Sequence, residues 1–297
     1  ISEGLVGSEM CIRDRDYAER FGVYMNMRPY LANSLGAEET TLYKMVAAYA
    51  MFANGGERVE PTLVDRIQDR LGKTVYRHDP RTCDDCMKDI LPPSLGPEIT
   101  SDRERVMDAV TAYQLTSMME GVVTRGTASR TVKLPVPTAG KTGTTNEAKD
   151  AWFVGFTSNI VAGCYIGFDI PSPLGRGTGG GSTCGPVFNE FMLSAIKKYG
   201  GGDFKVPKGG KFINLHRLTG DRLDQKAEGD FVVAEYFRNG EEPTFGDAVN
   251  GGFAMGSNIE LFSEEDEQVI HTTSSSGEVV TFGGTASLGT LTSGGLY

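Results

Sequence analysis

Ala139-Gly140-Lys141-Thr142-Gly143-Thr144-Thr145-Asn146, followed closely by the apolar run Ala151-Trp152-Phe153-Val154-Gly155-Phe156, decides how this chain is read. Glycines on both sides of a lysine leave a backbone that other groups can approach closely, and the threonines add hydroxyls to the same segment. A Gly-Lys-Thr can belong to a phosphate-binding loop, Gly-x-x-x-x-Gly-Lys-Thr, whose amides cradle a nucleotide. That pattern requires a glycine at position 135, where the chain has Pro135, which offers no amide hydrogen. It also requires an apolar helix directly afterwards, and here a strand follows. Taken alone, the match also fits a glycine-rich surface turn with an incidental lysine.

The surroundings supply structure. Ala151 to Phe156 and Ile160 to Phe168 are two β-rich runs joined by Thr157-Ser158-Asn159, a short polar turn that predicts neighbouring antiparallel strands. Trp152, Phe153 and Phe156 alternate imperfectly, which suits a strand covered on both faces, so they read as core and not as a ligand platform. Upstream, Val132, Leu134 and Val136 approach the motif, and a helix is expected from Arg105 to about Val123, ended by Arg125-Gly126-Thr127. Downstream, Pro186 to about Lys198 reads as a closing helix with Val187, Phe188, Phe191, Met192, Ala195 and Ile196. Nearer the start, Thr40 or Thr41 caps a helix with the stripe Leu42, Met45, Val46, Tyr49, Ala50 and Ala53, stopped by Asn54-Gly55-Gly56. Thr62 to Ile67 and Thr74 to Tyr76 flank Leu71-Gly72-Lys73 as a hairpin.

With 297 residues, 39% of them hydrophobic, the chain can build a real core, and one domain plus a tail is the simplest organisation. A net charge of −10 excludes a nucleic-acid surface, which needs clustered Lys and Arg to release counterions. No run approaches the roughly 20 apolar residues of a membrane helix. Cysteines 11, 83, 86, 164 and 184 are too few and scattered for a disulfide-built scaffold, so packing is expected to make the core. Cys83-Asp84-Asp85-Cys86 has half the spacing of a zinc site, but no second pair completes it, so no metal and no cofactor is expected; a local disulfide or a free-thiol loop remain. From Gly200 onward large apolar residues thin out. Phe204 to Leu215 can add a strand pair, and the stretch containing Ser274 to Ser276 and Gly283-Gly284 reads as flexible.

Several ordered blocks carry a resemblance: Ala48 to Gly56, Ala112 to Ser117, Glu120 to Val123, Arg125 to Ala128, Ala139 to Asn146, Lys149 to Phe156 and Gly167-Phe168-Asp169. Together they resemble the transpeptidase domain of type 1A class A penicillin-binding proteins, in register over about residues 16–199. The resemblance implies an α/β (α+β) fold of the serine β-lactamase and transpeptidase type: an antiparallel sheet flanked by helices, incomplete at its N-terminal side, with three strands and about three helices kept. Residues 200–297 would be a largely flexible extension. It also implies a bifunctional peptidoglycan synthase at the periplasmic face of the inner membrane, which polymerises glycan strands and cross-links stem peptides. Its partners would be D-Ala-D-Ala stem peptides and β-lactams.

Carried over by position, Lys141 would edge the cleft and help bind the substrate carboxylate. Thr142 and Thr144 would offer it hydroxyls. Gly143 would let the peptide lie against the strand, and the Thr144 amide would be one oxyanion donor. The family places Ser-x-x-Lys and Ser-x-Asn upstream of Lys-Thr-Gly. Neither is found there in this chain. Ser194-Ala195-Ile196-Lys197 matches the first only downstream, in the closing helix, and Tyr24-Met25-Asn26 mimics the second where a turn is the better reading. Residues 1–15 resemble a read-end artefact, so the nucleophile, the second motif, the glycosyltransferase domain and the membrane anchor are expected to be lost, and this fragment to be inactive. The alternatives are a non-catalytic module that binds muropeptides or a partner, and a class A β-lactamase-like hydrolase.

Overall fold

The computed structural model describes residues 13–243 except 29, 31, 34, 35, 80, 84–98, 101 and 102, together with four short strands beyond 243. The chain divides into two compact units, Ile1–Lys211 and Phe212–Tyr297.

In the first unit a helical stretch over 13–20 precedes helix α1, Leu42–Ala53. Thr41 caps α1, its hydroxyl accepting from the Lys44 amide at 3.3 Å, as its Thr-rich start predicts. Asn54 and two left-handed glycines, Gly55 (φ 66°) and Gly56 (φ 87°), close it. A β-carbon on Gly56 would strike the Met107 carbonyl, so the chain after α1 passes directly against the approach to the next helix. There the sequence expectation needs correction. The helix expected from Arg105 begins at Ala109 (α2, Ala109–Thr124), because the Gly56 carbonyl takes the Val106 and Met107 amides at 2.9 and 3.1 Å. Asp108 then caps α2, accepting from the Val110 and Thr111 amides at 2.9 and 3.2 Å.

Between the two helices lie β1 (Arg66–Gln68) and β2 (Thr74–Arg77), an antiparallel hairpin as expected, then β3 (Thr82–Cys83) paired with β4 (Ile99–Thr100). Cys83 is disulfide-bonded, and the rest of the acidic loop, Cys86 included, lies outside the described residues.

The centre is a three-stranded antiparallel sheet in the order β5 (Ala139–Thr144), β6 (Asp150–Phe156), β7 (Val161–Gly167). The turn between β6 and β7 is closed by the Thr157 amide donating to the Ile160 carbonyl at 2.9 Å, as the polar triplet predicts. One face buries Ala151 and Phe153 with Val123, Ala128 and Val132 against Phe188 and Met192 of helix α3, Gly185–Tyr199. The other buries Phe156 and Ala139 with Met119 of α2 and Tyr49 of α1. Phe153 and Phe156 are fully buried, on opposite faces. Trp152 departs from the expectation: it is only partly buried and packs against Tyr165 in a tilted arrangement, ring centroids 4.7 Å apart. A disulfide joins Cys164 of β7 to Cys184, in a π turn (Gly180–Cys184) that opens α3. Packing makes most of this core, but a covalent clamp was not foreseen.

In the second unit β8 (Gly210–His216) pairs with β9 (Val232–Arg238) around Ile213, Leu215 and Phe237. The strand pair expected within Phe204–Leu215 therefore takes its second strand from farther along the chain. Phe204 instead packs edge-on against Phe156, 5.7 Å between centroids, in the first unit. Ser274 to Ser276 and Gly283-Gly284 lie outside the described residues.

Candidate active site

Strand β5 pairs only with β6 among the described strands, so Lys141-Thr142-Gly143-Thr144 runs along a sheet edge. The register sets Lys141 opposite Val154, Gly143 opposite Trp152 and Thr144 opposite Ala151. Ala139 and Gly140 are buried and anchor the strand, while Lys141 and Thr144 are exposed and Thr142 and Gly143 half-buried. A β-carbon on Gly140 would come 2.7 Å from the Phe153 ring, so this glycine is required by the core beneath. The Lys141 Nζ donates to the Thr142 carbonyl at 2.9 Å.

Two neighbours hold the hydroxyls of this strand. The Thr142 and Thr127 hydroxyls lie 2.9 Å apart, and the Gly180 amide donates to Thr144 Oγ1 at 3.0 Å. A β-carbon on Gly180 would strike the Trp152 carbonyl and lie 2.6 Å from the Gly143 carbonyl oxygen, so the π turn lies directly on the backbone of the motif. Gly143 is closely bordered as well: a β-carbon there would lie a tight 3.2 Å from Trp152 Cβ and 3.8 Å from its Cγ.

The turn from β5 into β6 is fixed by Asp150. Its amide donates to Thr145 Oγ1 at 2.8 Å, and its carboxylate accepts from the Thr145 and Tyr165 hydroxyls at 3.1 and 2.8 Å. The bond to Asp150 holds the Tyr165 phenol above its usual pKa. Glu147 (φ 62°) and Ala148 (φ 51°) sit in the left-handed region, and the Leu174 amide pins the Ala148 carbonyl at 2.9 Å. Lys149 pairs with Glu147 at 2.8 Å and holds that carboxyl below its ordinary pKa.

The structure thus brings all four predicted residues onto one edge strand. It adds Thr127, Asp150 and the Gly180 turn, which sequence reasoning did not single out. The glycine run Gly175 to Gly181 was the available signal for the last, since so many glycines before a helix mark a close backbone approach.

The two mimic motifs take the places expected of them. Ser194 lies in α3, nine residues beyond Gly185, or roughly 14 Å along the helix, with Ile196 packed on the core. Tyr24 packs beside Phe21, Val23 and Met51, and its hydroxyl donates to the Glu38 carbonyl at 2.9 Å. Burial, then the Glu38 charge, raises its pKa. Asn26 adopts a turn conformation at φ 61°.

The family pattern described as the penicillin binding protein transpeptidase domain matches residues 19–193. The chain belongs to the penicillin-binding protein transpeptidase family. Its relatives include "Penicillin-binding protein 1A" of Rickettsia typhi, 42% identical over 227 residues, covering 75% of this chain and 28% of that protein. "Penicillin-binding protein 1A" of Neisseria gonorrhoeae is 37% identical over 214 residues, covering 70% and 25%. The chain therefore spans about a quarter of the length of these curated relatives. Among solved structures, penicillin-binding protein 1A from Haemophilus influenzae is similar with a TM-score of 0.61 and 31% identity, over 77% of this chain and 36% of that one. PonA1 from Mycobacterium tuberculosis, solved in complex with penicillin V, shares the fold at TM-score 0.50 and 21% identity, over 64% and 51%. Among the described residues no helix is long and apolar enough to cross a membrane.

Proposed function

We propose that β5 is the substrate-binding wall of a serine D-Ala-D-Ala transpeptidase, and that the intact protein is a peptidoglycan synthase. The observation that carries this is the exposed Lys141 and Thr144 and the half-buried Thr142 on an edge strand buried and clamped from behind, within a chain of this family. In the reaction a serine hydroxyl attacks the penultimate D-Ala carbonyl, the peptide C–N bond breaks, D-Ala leaves, and an acyl-enzyme remains. An amine of a neighbouring strand then displaces the serine. Penicillin acylates the same serine.

In that scheme the Lys141 ammonium and the hydroxyls of Thr142 and Thr144 receive the terminal carboxylate. The Thr144 amide and the amide of the serine hold the oxyanion. Gly143, which carries no β-carbon, lets the peptide lie along the edge. Upstream of Lys141 the 297 residues hold no Ser-x-x-Lys, the pattern that carries the nucleophile in this scheme, so this chain by itself is not expected to acylate. A periplasmic location is supported by the Cys164–Cys184 bridge, because disulfides persist in oxidising compartments.

Fluorescent penicillin tests the reading on two proteins, the product of the uninterrupted native locus and the 297-residue chain. Label that survives denaturation is expected on the first and not on the second. Label on the 297-residue chain would place the nucleophile within it, with Ser194 the first residue to mutate. An unlabelled locus product favours the non-catalytic module, and steady antibiotic turnover favours a β-lactamase-like hydrolase.

A further inference from the structure

We propose that Thr127, outside the Lys-Thr-Gly segment, is a positioning residue that turns the Thr142 hydroxyl hydrogen toward the substrate carboxylate. The inference rests on β5 being the wall that receives that carboxylate. The two hydroxyl oxygens lie 2.9 Å apart. Each hydroxyl has one hydrogen and can also accept. If Thr142 donates to Thr127, its hydrogen is spent inside the protein. If Thr127 donates to Thr142, the Thr142 hydrogen is left for an anion, and an anion strengthens that chain of donors by polarising it. A carboxylate beside Lys141 therefore selects the second arrangement.

Thr127 is built to hold this place. Gly126 turns tightly after α2, where a β-carbon would come 2.8 Å from Val122 Cα. On the other side Ala128 is fully buried in the core, and its amide donates to the Val122 carbonyl at 3.2 Å. The π turn presses on the same point: a β-carbon on Gly181 would lie 2.6 Å from the Thr127 carbonyl oxygen and 3.5 Å from Thr142 Cγ2. The backbone of Thr127 is thus fixed from both sides while its side chain stays exposed at the edge of β5. This is the geometry of a hydroxyl held for another hydroxyl, not of a packing residue.

The probe is a diacetylated L-Lys-D-Ala-D-Ala peptide and its C-terminal amide, each titrated into the protein and followed by threonine-methyl NMR. The wild type is expected to prefer the carboxylate, by about tenfold for one charge-assisted hydrogen bond. Thr127→Val, equal in shape but without the hydroxyl, is expected to lose most of that preference while amide binding stays unchanged. Thr127→Ser is expected to restore it. If Thr127→Val keeps the full preference while Thr142→Val loses it, Thr142 works alone and the inference is overturned. If the wild type itself shows no preference, the carboxylate reading of β5 fails and the inference falls with it.

Discussion

The β5–β6–β7 sheet and the β1–β2 hairpin use the same antiparallel ladder, yet only the first can hold a site. Every residue of β1 and β2 is exposed, whereas β6 buries Ala151, Phe153, Val154, Gly155 and Phe156 between helices on its two faces. In the hairpin, Leu71 and Val75 stand largely in water. Backbone hydrogen bonds exchanged with water contribute little net stability, and two-stranded ribbons are marginal by themselves. The rigidity that keeps Lys141 and its neighbouring hydroxyls in register therefore comes from burial behind the sheet.

The hardest test of that contrast is truncation at matching places. Phe153→Ala, removing a fully buried ring packed 4.7 Å from Phe188, is expected to cost about 4 kcal/mol. Val75→Ala in the hairpin, at 62% exposure, should fall within about 0.5 kcal/mol. Urea unfolding of both variants checks this, and a hairpin loss as large as the core loss would break the comparison.

Next in size is the clamp. Cys164 and Cys184 close a loop across 20 residues between β7 and the turn that lies on Gly143. Chain-entropy reasoning puts the value of such a bridge at about 3 kcal/mol. Reduction, or paired Cys164→Ala and Cys184→Ala substitution, is expected to lower the urea midpoint accordingly. It should also speed amide exchange at Gly180 more than anywhere in β1 or β2. Equal midpoints before and after reduction would show that packing alone seats the turn.

How much of this was legible in the sequence follows the same division. Elements fixed by local chemistry were readable: the Thr41 cap, the Asn54-Gly55-Gly56 stop, the Leu71-Gly72-Lys73 turn and the Thr157 turn all carry their reason within a few residues. The start of α2 was misplaced because the Gly56 carbonyl, about fifty residues earlier, takes the amides of Val106 and Met107. Lys141 to Thr144 was recognisable as a segment. The groups that seat it were not, since Thr127, Asp150 and Gly180 reach it only through the folded sheet, and two cysteines 20 apart bear no spacing signature. Within β6, alternation identified Phe153 and Phe156 as core but not the position of Trp152, which lies toward the open end of the strand beside Tyr165.

A smaller effect comes from pH and again marks the buried side. Burial beside Phe52 and Phe156 pushes the Tyr49 phenol up to about 12 from its model-compound 10.0. A raised folded pKa means that the unfolded chain loses this proton first. The contribution is therefore complete below pH 10 and is lost as pH climbs toward 12. Because the ring keeps part of its surface in water, the loss is about 1 to 2 kcal/mol. Comparing urea midpoints at pH 8 and pH 11.5 for wild type and Tyr49→Phe isolates it, and parallel losses in the two proteins would assign the alkaline change to other groups.

The smallest effect is expected in the hairpin turn, where the hydrogen bonding is best organised. Asp69 Oδ1 accepts from the Leu71 and Lys73 amides, each at 2.9 Å, the Asp69 amide donates to the Lys73 carbonyl at 2.9 Å, and Gly72 takes φ 81°. Asp69→Ala removes two acceptor contacts, but both freed amides face water, which replaces the carboxylate. The local cost is about 0.5 to 1 kcal/mol, and hardly any of it reaches the global unfolding transition. Amide exchange across Arg66–Arg77 should speed severalfold while the urea midpoint stays that of wild type. A midpoint that fell with the exchange would mean that the hairpin unfolds together with the sheet, and that its exposed ladder shares the stability of the buried one.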